Sequence, residues 1–69
     1  MSSRQLKILI SELGMHIGEW LTIIRLDGAV IFVKLRTIDG NKLLCQNSLL
    51  KAKMILLTDI DEVWRDIKK

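Results

Sequence analysis

The chain is predicted to be mostly β: a short N-terminal helix followed by a strongly bent, five-stranded antiparallel barrel in a single domain spanning residues 1–69. Three observations predict this. Asp27-Gly28 and Asp39-Gly40 each separate apolar, β-rich runs and lie twelve residues apart, which implies three strands joined by successive hairpins. No proline interrupts the 69 residues. Their apolar side chains, 49% of the total, are mainly Leu, Ile and Val, which suit pleated, half-buried surfaces.

Each element follows in order. Leu6, Leu9, Ile10 and Leu13 recur at helical spacing, with Ser2 or Ser3 as a cap and Gly14 as a stop, so a helix is expected over about 3–13. It would cover one end of the barrel, itself expected over about 18–67. Strand one is expected over Glu19–Leu26 and strand two over Val30–Ile38. In strand two, Ile31, Val33 and Leu35 point one way; Val30, Phe32, Lys34 and Arg36 point the other. Type I′ turns are expected at both Asp-Gly pairs. Strand three reads Lys42–Gln46, then a break at Gln46-Asn47-Ser48. Strand four reads Lys53–Leu57, a single helical turn covers Thr58–Asp61, and Glu62–Ile67 closes the series. Lys68 and Lys69 are expected to fray.

A chain this short buries only about 60% of its extended surface. Its apolar residues exceed what one such core absorbs, which points to burial between subunits. The longest apolar run, Ala29 to Val33, falls far short of the roughly 20 residues of a spanning helix, so no membrane role is expected. The opening Met-Ser-Ser-Arg-Gln-Leu-Lys lacks the apolar stretch and cleavage site of a secretory signal. The lone Cys45 fits a reducing compartment, and the cytoplasm is expected.

Net charge is +3, unevenly distributed. From Arg25 to Lys53, six cationic residues face only Asp27 and Asp39; from Asp59 to Asp66, four acids face Arg65 alone. The basic middle suits phosphate groups, with Lys34, Arg36 and Lys42 as the contacts, or it is ordinary outward charge. Catalysis is not expected. His16 has no paired acid or nucleophile in view, and Cys45, among Leu43, Leu44 and Gln46, reads as a small core hydrophobe. There is no phosphate loop, and no ligand spacing for a metal; no cofactor is expected. Trp20 and Trp64 have two readings, base stacking, or packing or a subunit interface, and the second is the commoner fate on such strands.

The spacing of Gly18, Gly28, Leu35 and Asp39, with Leu21 and Ile23 between, resembles the first motif of the Sm/LSm family; Ile55, Ile60 and Val63 fit the apolar frame of its second. The resemblance covers nearly the whole chain. Departures accompany it: Val33 replaces a strand-two glycine, Arg25 an apolar residue, Leu56-Leu57 the Arg-Gly pair, and the loop after Asp39 is two residues short. The resemblance implies a helix-capped SH3-like small barrel that closes into a homo-oligomeric ring, strand four of one copy pairing with strand five of the next. Met54, Ile55, Leu56 and Leu57 would form one such edge, with Val63 and Trp64 on the other. It also implies RNA at the site of Asp39 and Asn41, without the arginine that would sandwich a base. The expected function is therefore weak, largely electrostatic RNA binding by a ring. Two alternatives stand beside it: a protein-interaction or structural barrel with no nucleic-acid role, and a subunit of a heteromeric assembly.

Overall fold

In a computed structural model, which describes residues 4–67, the chain forms six antiparallel strands in one sheet, with two short 3-10 segments. The strands are β1 (Arg4–Ile8), β2 (Trp20–Arg25), β3 (Val30–Asp39), β4 (Lys42–Gln46), β5 (Ala52–Leu56) and β6 (Ile60–Ile67). Their spatial order is β1-β6-β2-β3-β4-β5. The mostly β character is as expected from sequence. The strand count is six rather than five, and the sheet is not closed: β1 and β5 are its two margins.

Among the described residues the expected N-terminal helix is absent, and a strand takes its place. Arg4–Ile8 pairs with Ile67–Val63 of β6, and Ile10–His16 forms a 3-10 segment. An isolated helix of this length is marginal, whereas β6 offers a row of unpaired backbone groups. Pairing inverts the apolar pattern. Ile8, off the supposed stripe, enters the core at 4% exposure, while Leu6 and Leu9 of the stripe are 48% and 60% exposed. Leu13 is buried under either geometry. Gly14 lies within the 3-10 segment rather than ending it; Gly18, with φ of 90°, turns the chain into β2. The proposed caps Ser2 and Ser3, and the Lys68-Lys69 end, lie outside the described residues.

Both Asp-Gly signals mark real hairpins, though neither turn is type I′. After β2, the Gly28 N–H donates to Arg25 O (2.9 Å), Arg25 N–H donates to Ala29 O (2.8 Å), and only Gly28 has positive φ. This is a three-residue loop with its left-handed residue last. Asp27 Oδ1 accepts from the Ala29 N–H at 3.0 Å, which fixes the loop from its side chain. After β3, Asp39 pairs with Lys42, so Gly40 and Asn41 are the central residues and Gly40 alone is left-handed, the pattern of a II′ turn. The β4–β5 connection is built on Asn47, whose Oδ1 accepts from the Leu49 and Lys51 N–H groups (2.9 and 3.0 Å).

The core consists of Ile8, Leu13, Leu21, Ile23, Val33, Leu35, Leu43, Cys45, Ile55, Ile60 and Val63. Ile31, Val33 and Leu35 face it with the expected alternation. A bulge at Arg36 then shifts the register, Leu35 pairing with Cys45 and Thr37 with Leu44, so that Ile38 also packs on the core. The bend lets the 3-10 turn Leu57–Asp59 bridge two distant loops. Leu57 N–H donates to Asn41 O at 2.8 Å, and Leu26 N–H donates to Asp59 O at 2.9 Å.

Helix and strand readings of the N-terminus differ in which side chain carries stability. Ile8→Ala should cost about 2–5 kcal/mol in urea unfolding, and Leu9→Ala no more than about 0.5 kcal/mol. The reverse order would restore the helical stripe.

Candidate nucleic-acid interface

The sheet's outer face carries the residues of interest, because period-two alternation sends every second side chain of β2 and β3 away from the core. Trp20 lies opposite Lys34, and Thr22 opposite Phe32. Trp20 and Phe32 are thus diagonal neighbours, and their rings stack with centroids 5.2 Å apart and planes 15° from parallel. Trp20 is 38% exposed and Phe32 51%. Two aromatics thus lie partly in water on a strand face. Neither is among the core residues; Trp20 packs on Phe32 rather than inside the sheet.

Lys34 is half-buried beside this stack, paired on its other side with Gln46. Arg36, the bulged residue, is exposed and donates from Nη1 to Gln46 Oε1 at 3.1 Å. Asp39, Asn41 and Lys42 are exposed around the II′ turn, where Asn41 contributes its carbonyl to Leu57. The five residues singled out from sequence therefore form two groups. Five residues of strand, on the order of 16 Å, separate Lys34 from Asp39. Among the described residues, Lys34, Arg36 and Lys42 have no ion-pair partner.

A cleft of about 610 Å³ opens beside the stack, lined by Gly18, Glu19, Trp20, Phe32, Arg65 and Asp66. Its polar groups are held in place. Glu19 Oε1 lies 3.0 Å from His16 Nδ1 and 3.3 Å from Arg65 Nε. Asp66 Oδ1 accepts from Gln5 Nε2 at 3.2 Å. On β6, the strand next to β2, the Trp64 indole N–H donates to Glu62 Oε1 at 3.0 Å, and Lys7 Nζ sits 3.5 Å from Glu62 Oε2. Both favour the ionised carboxylate, the indole hydrogen bond more, and hold Glu62 below its ordinary 4.5.

The expected interface residues divide. Met54 is exposed, Ile55 is buried, and Leu56 and Leu57 are half-buried on or beside the β5 margin. Val63 and Trp64 do not form a free edge. β6 is hydrogen-bonded to β1 on one side and β2 on the other, and Val63 is fully buried. The N-terminal strand occupies the margin that the ring arrangement would have left open.

Cys45 is buried and unpaired, and burial pushes its thiol above the usual range, which suits a core position. Among the described residues, no three His, Cys, Asp or Glu side chains converge as metal ligands, and no helix is long and apolar enough to cross a membrane. No protein-family model, curated protein or solved structure matches the chain significantly. The aromatic stack is legible in the sequence only in part. Alternation places Phe32 on the outer row, but its diagonal relation to Trp20 depends on the register across the Asp27-Gly28 hairpin.

A carboxyl depressed in the folded state stabilises above its unfolded value, and that contribution is lost as the pH falls through the folded value. Glu62 therefore contributes fully above pH 4.5 and progressively less below it. Trp64→Phe, which removes the indole donor, should raise the Glu62 titration midpoint in a carboxyl-detected NMR titration. An unchanged midpoint would leave Lys7 as the sole cause.

Proposed function

We propose that this chain is a non-enzymatic, Sm-like small barrel that binds single-stranded RNA weakly, by phosphate charge and base stacking together. The observation that carries the reading is the exposed Trp20–Phe32 stack, with Lys34 opposite Trp20 and Arg36 two residues further along β3. Aromatic rings on a sheet face take bases of any identity, and cations along the same strand follow the phosphates. Asp39, Asn41 and Lys42 provide a second, polar contact at the II′ turn, along the path from Lys34. Supporting the fold part of the reading, β6-β2-β3-β4-β5 is the order of a bent five-stranded barrel whose last strand returns beside its first, here extended by β1. The margins open to a second copy are β1 and β5, so self-association of this unit uses a different pair of edges from the one the family resemblance implied. An unpaired thiol suits a reducing compartment such as the cytoplasm.

Fluorescence anisotropy with oligo-uridine and a mixed-sequence RNA across a salt series tests this. Phe32→Ala should weaken both by roughly 5- to 150-fold, the value of one stacked base. Lys34→Ala with Arg36→Ala should reduce the slope of log affinity against log salt by about 1.4, or about 0.7 for each phosphate no longer neutralised. Undetectable association at low salt would remove the RNA reading.

A further inference from the structure

β4 ends at Gln46, opposite Lys34, and leaves a seam in the sheet. β4 pairs with β3 only from Lys34 onward, so Val30–Val33 has β2 on one side and no strand on the other. β5 likewise pairs only with β4. Between these two unpaired margins lies a cleft of about 440 Å³. Its apolar lining comes from Ile31, Val33 and Ile55, all packed in or against the core, with exposed Val30, Phe32 and Met54 at the rim.

Two cations stand over this apolar lining. Lys53 is exposed and has no ion-pair partner among the described residues. Arg25 reaches Asp59 only at 3.8 Å, and its Nε is buried without a hydrogen-bond partner. A buried donor left without an acceptor costs free energy that a bound carboxylate oxygen would recover. No acidic side chain lines the cleft.

We infer that this seam accepts an extended peptide in which acidic and apolar side chains alternate. Its backbone pairs with an open strand margin, one row of side chains enters over Ile31, Val33 and Ile55, and its carboxylates meet Lys53 and Arg25. Period-two alternation in the ligand matches the arrangement of an apolar groove bordered by cations. A second copy of the chain is a poorer occupant by charge: its open margins, β1, β5 and Val30–Val33, carry no acidic residue to meet Lys53 and Arg25.

The test uses fluorescein-labelled Glu-Val-Glu-Val-Glu-Val, its Lys-Val counterpart, and the block isomer Glu-Glu-Glu-Val-Val-Val, with backbone NMR of the full chain. The alternating acidic peptide should bind at least tenfold more tightly than either control, shifting the amides of Val30–Val33 and Lys53–Ile55. Lys53→Glu should abolish that preference. Should this variant fail to fold, the salt dependence of the wild-type preference serves instead: it should fall as salt rises. Equal binding of all three peptides, or shifts at Trp20 and Lys34 with none at Val30, Ile31 or Lys53–Ile55, would overturn the proposal. Concentration-dependent changes at the same amides without peptide would assign the seam to a second copy and also overturn it.

Discussion

The bulge at Arg36 is the constraint on which the rest of the molecule depends. A regular strand sends residues an odd number apart to opposite faces, yet Leu35 and Ile38 both pack on one core. One extra residue reconciles them and bends the strand. Before the bulge, β3 pairs with β2; after it, β3 pairs with β4, and only Lys34 and Leu35 belong to both pairings or their junction. The same bend carries the II′ turn toward Leu57, so that one 3-10 turn stitches opposite ends of the sheet. Arg36 itself, pushed out of the ladder, is free to reach Gln46 and solvent.

The central elements were legible in the sequence because local chemistry and global fold agree there. Lys42–Gln46 has the bounds expected, and both glycine turns join the strands they were expected to join. What stayed hidden was non-local. Arg4–Ile8 carries a helical stripe at least as good as its strand pattern; the choice was made by a vacant margin on β6, almost sixty residues away. No window of sequence around Leu6 contains that information. The turn types were missed for a smaller reason: Asp-Gly suits several loops, and the number of residues left unpaired decides among them.

The candidate site was legible to a similar extent. The basic residues of β3 were visible as a charge pattern, and Phe32 as a member of its outer row. Their relation to Trp20 depends on a cross-strand register, which fixes diagonal neighbours only once the loop length is known. The family resemblance pointed to Asp39 and Asn41 instead. These lie at a turn whose backbone is committed to holding Leu57, an arrangement that accounts for the position of Asn41 without a ligand.

Capture of the β6 margin by β1 changes where the excess apolar surface is expressed. A ring built from β5 and β6 would have satisfied both edges at once, as cyclic closure does. With β6 paired on both sides, the surplus is spread over the surface, and two parts of it adjoin unpaired cations: the Trp20–Phe32 stack on the outer face and the Val30–Met54 rim of the seam. Each is bordered by cations that no described acid neutralises closely, Lys34 at the first and Lys53 at the second. Apolar surface beside unpaired positive charge selects for partners that are themselves apolar and anionic. Nucleic-acid bases on phosphate and apolar residues alternating with acidic ones are two chemistries of that kind. Phe32 lines both clefts, so the two proposed sites adjoin on β3.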